Sequence, residues 1–511
     1  MNNILFTTDK YKAEFCDGGN IPVYIALLSD GTQNNIELPD DIYKEFDGLG
    51  QGTKTLKTYF SKFEICEKTD VMITMPENVK EISVKPECAK VNYSFNDGYF
   101  VFTAEDDCNF YIEPDGDVFG GIHVICNRKK EIIKDKENVI EFTDGIYTAD
   151  NCEHIRKNEH GIPVIDNIKD NTLIYIDEKA VVNAAIVLKG VKNVKIAGSG
   201  MISLIDRCHG AENSFSDERM WGAFRYYALP NIYIRSGCEN IEIEDVLLNC
   251  EFRGVVIRNS KKISLKNIKM FTSTENADGI NCYNTSDLLV DSCYIQSADD
   301  CFCMYNSCDS IPTLFDEGYN NVKAVCRNVE VKNCIMSSNA RPVVLGGHAT
   351  GSTNPRCVIE NIYIHDCEIM ETPYRIFGNT KEYSMYWSGF LRILSQSHQI
   401  VRNLKFENID VNVTKGHNGK IFHIEVREKN QASYTECEGY KIENLTFRNI
   451  NIKGSTEKLL PSLIRCRNGL SNDDVPKIEN ITFDNINCTK KNFDMDSIII
   501  EGPVQCVNVV K

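Results

Sequence analysis

From about residue 138 to the end, one short unit returns again and again. Glu239-Asn240-Ile241-Glu242-Ile243-Glu244-Asp245-Val246 is echoed by Arg327-Asn328-Val329-Glu330-Val331-Lys332-Asn333-Cys334 and by Glu360-Asn361-Ile362-Tyr363-Ile364-His365-Asp366-Cys367. Further copies start at Arg402-Asn403-Leu404-Lys405, Asn444-Leu445-Thr446-Phe447 and Asn480-Ile481-Thr482-Phe483. A looser copy, Lys262-Ile263-Ser264-Leu265, begins 22 residues after Asn240, and another, Asp287-Leu288-Leu289-Val290, begins 25 residues later. Spacings then stretch to 33–42, as loops inserted on one face of a coil would make them. β-Branched residues alternating with polar ones specify strands, and self-similarity at a fixed period specifies a solenoid. Leucine-rich repeats share the period, but their fixed leucine pattern is absent. The expected fold is all-β: a right-handed parallel β-helix whose inward Ile, Val and Cys form columns. The recurring Asn stacks on its own copies by amide hydrogen bonds, which makes it structural.

The first 130 residues have another rhythm. Lys62-Phe63-Glu64-Ile65-Cys66, Val71-Met72-Ile73-Thr74-Met75, Val91-Asn92-Tyr93-Ser94-Phe95 and Phe100-Val101-Phe102 are short alternating segments between turn residues. They predict a small antiparallel β-sandwich over 1–130. The basic stretch Asn127-Arg128-Lys129-Lys130 links it to the solenoid of 131–511. The sandwich is expected to cap the first coil against edge pairing.

Composition narrows the function classes. A chain of 511 residues buries a large core without disulfide or metal staples. Its 56 Lys+Arg against 73 Asp+Glu leave a net charge of -17, which excludes general nucleic-acid binding. Apolar runs such as Ala184 to Leu188 are too short to span a bilayer, so no membrane partner is expected. The N-terminus shows no basic segment followed by an apolar one, so a cytoplasmic location is expected, with secretion left open. The 22 cysteines contain no Cys-x-x-Cys pair and read mostly as small buried hydrophobes. Oligomeric state is not legible.

The chemistry-bearing stretch is Asn276-Ala277-Asp278-Gly279-Ile280, followed by Ser297-Ala298-Asp299-Asp300-Cys301. Asp278 precedes Asp299 by 21 residues and Asp300 by 22, which is about one coil. Residues one coil apart lie on neighbouring strands, ~4.8 Å apart. Three clustered carboxylates do not all ionise together, and one keeps a proton near neutral pH. An acid beside carboxylates is what glycosidic hydrolysis requires: one protonates the leaving oxygen and another activates water. Ordinary turn aspartates and a calcium site are the competing readings of the same residues.

Asn276-Ala277-Asp278-Gly279 resembles the Asn-Thr-Asp-Gly motif of polygalacturonases, glycoside hydrolase family 28, and Asp299-Asp300-Cys301 resembles that family's Asp-Asp-Cys. Asp144-Gly145-Ile146-Tyr147 and Asn193-Val194-Lys195-Ile196-Ala197-Gly198-Ser199-Gly200 are similar to its first coils. The preceding sandwich is similar in layout to family 49, the dextranases and isopullulanases of the same clan. The resemblance implies a pectin-lyase-like solenoid and an inverting hydrolase of a pectic or α-glucan poly- or oligosaccharide. In it Asp299 is the general acid, while Asp278 and Asp300 hold and activate the water. Ser338-Asn339-Ala340 aligns with the family's Gly-His-Gly, so that Asn339 takes the histidine's place, with His348 a second candidate. Arg375-Ile376-Phe377 resembles the Arg-Ile-Lys that grips a substrate carboxylate. Phe377 in place of Lys, with the negative net charge, implies a neutral or partly acidic glycan.

Aromatic sugar platforms are expected from Trp221, Tyr226, Tyr227, Tyr305 and Trp387; both Trp fall in loop-like insertions. Asn276, beside the acids in sequence, is expected to bind substrate, as are Asn339, His348 and Arg375. The insertion from Ile311 to Asn321 could wall off the groove and favour action from the chain end. The proposed chemistry requires no metal and no organic cofactor. A lyase or epimerase on the same fold and a non-catalytic glycan-binding solenoid are the alternatives, since function resides in the site rather than the fold.

Overall fold

The computed structural model describes residues 7–29, 55–159, 161–204, 229–273, 277–306, 325–347, 357–371, 389–396, 398–414, 419–427, 439–457, 459–469, 475–489 and 492–510. Nearly every described element is a strand, and no described helix is long and apolar enough to cross a membrane.

From Asn138 onward the strands form two long sheets, one of 19 strands and one of 12, parallel except where Arg156–Lys157 pairs antiparallel with Pro163–Ile165. Each coil follows one path. A short strand of the smaller sheet leads into a first strand of the larger sheet, then a corner, then a second strand, then a turn back to the smaller sheet. In one coil these strands are Ile280–Tyr283, Ser286–Asp291 and Tyr294–Ser297, before the next coil opens with Phe302–Tyr305. The repeat is therefore a parallel β-helix, and its register follows the sequence spacing. Ile263 pairs with Leu288, Leu288 with Val329, and Val329 with Ile362.

The repeated asparagines explain why the coils bend where they do. Asn193, Asn240, Asn328, Asn361, Asn403, Asn444 and Asn480 all have φ between 56° and 60°. That left-handed region costs most residues energy but suits Asn, whose short amide bonds locally. Their amides also bond between coils: Asn403 Nδ2 donates to Asn361 Oδ1 at 3.2 Å, and Asn444 Nδ2 donates to Asn403 Oδ1 at 3.0 Å. A second ladder at the next corner runs Asp366–Asn408–Asn449–Asn485 with bonds of 2.8–2.9 Å. Inside the coils, apolar side chains stack on their own copies. Phe406, Phe447 and Phe483 form a column with ring centroids 4.9 and 5.1 Å apart. Eleven of the eighteen free cysteines among the described residues are buried, as small core side chains.

The strands before Arg128 make two five-stranded sheets packed face to face. The sheet pairing is not wholly antiparallel: Ile122–Arg128 runs parallel to Thr55–Ile65. The sandwich also does not cap the first coil. It lies along the flank of the larger solenoid sheet, where Phe60 stacks on Phe271 at 4.9 Å and His123 Nδ1 lies 2.6 Å from Tyr294 Oη. Buried Lys269 bonds Asn127, and Glu368 accepts the backbone N–H groups of Glu87 and Cys88. The contact thus extends over many coils. Phe271 and Tyr294 lie on the two strands that lead into the turns carrying Asp278 and Asp299-Asp300.

Candidate active site

Asp278 ends one coil's turn and Asp299-Asp300 ends the next. The Gly254 N–H donates to the Asp278 carbonyl at 3.0 Å, the Gly279 N–H to the Asp300 carbonyl at 2.8 Å, and the Cys301 N–H to the Arg341 carbonyl at 3.1 Å. This ladder puts Arg253, Asp278, Asp300 and Arg341 in one column on four successive coils. Gly279 is required here: a Cβ would sit 2.6 Å from the Cys301 carbonyl oxygen. The turn is tied by hydroxyls. The Asp299 N–H donates to Ser297 Oγ at 3.2 Å, Ser338 Oγ donates to the Asp299 carbonyl at 2.5 Å, and the Ala298 N–H donates to Thr272 Oγ1 at 3.1 Å.

All three aspartates are buried, with 6%, 5% and 2% exposure for Asp278, Asp299 and Asp300. Arg341 donates from Nε to Asp300 Oδ1 at 2.7 Å, and its Nη2 lies 3.8 Å from Asp299 Oδ1. At the other end, Arg253 Nε lies 3.4 Å from Asp278 Oδ2, and Asn281 Nδ2 donates to the same oxygen at 2.6 Å. The Asp300 N–H points at Asp278 Oδ1, 3.4 Å away, and Cys303 Sγ lies 3.6 Å from Asp300 Oδ2. Burial pushes the Asp278 carboxyl up to about 7, helped by Asp299 and Asp300 and opposed by Arg253 and Asn281. A proton therefore stays in the cluster near neutral pH. Arg341 stays charged, because Asp300 and Asp299 outweigh the burial that works against its charge.

Asp278, Asp300 and Cys303 bring potential ligand atoms within 4.8 Å of one another. Their chemistry does not suit a cation cage. Burial holds the Cys303 thiol well above its usual range, and Arg341, Arg253 and the Asn281 amide already occupy the carboxylates. Calcium needs six to eight oxygen ligands.

Of the other expected residues, Asn339 is buried one coil beyond Ala298, and its N–H donates to the Ser297 carbonyl at 3.0 Å. The side chain bonded to Asp300 from that coil is Arg341. Tyr305 is buried near the acids with its ring 5.4 Å from Tyr283, so it is packed rather than presented as an open platform. Asn276, Trp221, Tyr226, Tyr227, His348, Arg375 and Trp387 lie outside the described residues, as does the Ile311–Asn321 insertion.

Sequence reasoning missed Arg253, Arg341, Asn281 and a charged cluster on the following coils. Arg392 lies in register with Val344, which pairs with Cys303, and next to it comes His423. Buried Glu425 pairs with His423 and Arg427, both at 3.1 Å, and with Arg465 at 3.9 Å. Although burial raises it, His423, Arg427 and Arg392 hold the Glu425 carboxyl at about 2. Burial pulls Lys420 in the same region down to about 7.

The fold is thus a parallel β-helix that carries a buried acid cluster at the turns into its smaller sheet. This chain belongs to glycosyl hydrolases family 28, whose family model matches residues 160–507. No curated protein matches it. Among solved structures it is similar to Dex49A from Penicillium minioluteum, at 11% identity and a TM-score of 0.50, over 96% of this chain and 91% of that one. It is also similar to the family 28 exopolygalacturonase of Yersinia enterocolitica, at 10% identity and a TM-score of 0.40 over 98% of each chain. A hyperthermoactive exopolygalacturonase from Thermotoga maritima matches at 13% identity and a TM-score of 0.40, over 72% of this chain and 80% of that one. The likeness to Dex49A covers the fold, sandwich included.

Proposed function

We propose that the chain is an inverting glycoside hydrolase acting on a poly- or oligosaccharide of pectic type. The observation that carries this reading is the stacking of Asp278 and Asp300, with oxygens within 4.8 Å and an arginine at each end of the column. An inverting acid and base stand ~6.5–9.5 Å apart to leave room for water. Asp278 and Asp300 are too close for that division of labour, and act together as the holders of one water. The family resemblance then assigns the acid's role to Asp299, beside the column. It gives its proton to the glycosidic oxygen as the bond from that oxygen to the anomeric carbon breaks. Water attacks the anomeric carbon from the opposite face, and its proton passes to the Asp278–Asp300 pair, leaving a hemiacetal of inverted configuration.

Around Glu425, burial works against the charge of Arg392, Lys420 and Arg427, so the preference for a glycan that carries carboxylates over a neutral α-glucan rests on the likeness of the Asp278 and Asp299-Asp300 motifs to those of polygalacturonases. The test is release of reducing ends from a panel of pectic and α-glucan oligosaccharides by wild type and Asp299→Asn. General acid catalysis is worth ~10²–10⁴-fold, so the variant should lose at least a hundredfold on the substrate that wild type cleaves. Equal cleavage by both proteins would remove Asp299 from the chemistry. An ultraviolet-absorbing unsaturated product would make the protein a lyase instead.

A further inference from the structure

Arg341 is nearly buried, with 11% of its side chain exposed, and one guanidinium reaches both members of the Asp299-Asp300 pair. It bonds Asp300 through Nε, the nitrogen nearest its own backbone, which fixes the side chain's reach and angle. It comes from the coil next to Asp300, so the solenoid's own register delivers it. A charged guanidinium at 2.7 Å favours the ionised form of its carboxylate partner and is the stronger kind of hydrogen bond. The other oxygen of Asp300 faces the Cys303 thiol, and Asp278 stands one coil below.

We propose that Arg341 is a positioning residue: it holds Asp300 as the ionised member of the pair and aims that carboxylate at the attacking water. This rests on the hydrolase reading above. Arg341 acts through Asp300, not on the sugar. With the arginine in place, the cluster's retained proton stays off Asp300. Without it, Asp300 competes for that proton, and part of the enzyme enters each turnover in the wrong protonation state.

The test compares wild type, Arg341→Gln and Arg341→Lys for kcat, KM and the pH dependence of kcat/KM on the substrate found by the panel. Arg341→Gln should lower kcat by about 10–100-fold with KM changed less than about threefold, the signature of a transition-state effect. The acidic limb of its pH profile should move up by about 1–3 units, the usual effect of removing an opposite charge from a carboxylate. Arg341→Lys keeps the charge and loses the fixed fork, so it should restore the acidic limb while recovering only part of kcat. A raised KM at unchanged kcat would make Arg341 a sugar ligand and overturn the proposal, as would an unmoved acidic limb in Arg341→Gln. Should Arg341→Gln fold poorly, a thermal double-mutant cycle with Asp300→Asn reads the same coupling. Asp300→Asn/Arg341→Gln should then recover stability that Arg341→Gln loses, and additive losses would overturn the proposal. Wild type that cleaves nothing overturns the hydrolase reading. An active wild type with an indifferent Arg341→Gln overturns the role of Arg341 alone.

Discussion

Asn361, Asn403 and Asn444 stack on one corner of the solenoid, and Asp278 and Asp300 stack on another. Both columns place like side chains on successive coils at the same spacing. An amide carries a donor and an acceptor, so each Asn satisfies its neighbours above and below and the column closes on itself. A carboxylate only accepts when ionised, so two of them repel. The acid column persists because Arg253 and Arg341 bracket it, Asn281 donates into it, and one proton remains. The coil geometry that makes one corner stable by self-pairing leaves the other dependent on its arginine and amide partners. Functional sites are where local rules are broken and the rest of the fold supplies the compensation.

The largest effect is expected from making the second column like the first. Asp300→Asn puts an amide between Asp278 and Arg341. Activity should fall by about 10²–10⁴-fold, the usual worth of a general acid–base group. Thermal stability should change far less than activity, because relief of like-charge repulsion offsets the weakened pairing with Arg341. A stability loss comparable to that of a core deletion, measured by thermal unfolding, would mean that the acid column is structural after all.

The complementary break is in the ladder. Asn403 accepts from Asn444, donates to Asn361 and sits at φ 56°. Asn403→Ala should cost about 2–3 kcal/mol, from the lost ladder bonds and a left-handed backbone that Ala resists. Asn403→Gly tolerates the backbone and loses only the bonds, so it should cost roughly 1 kcal/mol. Both are read from chemical denaturation, with activity unaffected. Equal costs would show that conformation contributes little at this corner.

Much of this contrast was readable in the residues. The period specified the solenoid because a coil cannot bury its apolar face without stacking, and Asn403 with its copies marked the corners. Asp278, Asp299 and Asp300 came together on spacing alone. Arg341 was equally accessible: the interval of 41 residues from Asp287 to Asn328 also separates Asp300 from Arg341. The alignment with a family histidine drew attention to Asn339 instead. Other features were not accessible. Alternation marks a strand but not its direction, so the parallel pairing of Thr55–Ile65 with Ile122–Arg128 left no trace. The seating of the sandwich on the solenoid's flank depends on the fit of Phe60 to Phe271 and His123 to Tyr294, a matter of shape between distant segments.

Stability should also depend on pH through the acid column. The folded protein holds Asp278 protonated up to about 7, above its ordinary value of 3.8. The stabilisation associated with that proton is complete below the unfolded value and is lost as pH rises through the folded one. Wild type should therefore lose stability between about pH 4 and pH 7 relative to Asp278→Asn, which has no proton to release. Thermal midpoints of the two proteins that run parallel across this range would show that Asp278 ionises normally.

The smallest and most discriminating effect concerns the far end of the column. Arg253 lowers the Asp278 carboxyl against the larger upward push of burial. Arg253→Met removes the charge, so Asp278 should keep its proton to higher pH. The step expected near 7 in the pH dependence of wild-type stability should move upward by roughly one unit or less, because Arg253 is a quarter exposed and partly screened. Arg341→Gln should instead move the acidic limb of kcat/KM. Two arginines at opposite ends of one stack would then govern separate titrations, one read in stability and one in activity, a pattern that sugar contacts alone would not produce. A downward shift in Arg253→Met would mean that Asp278 is not the group that titrates near 7.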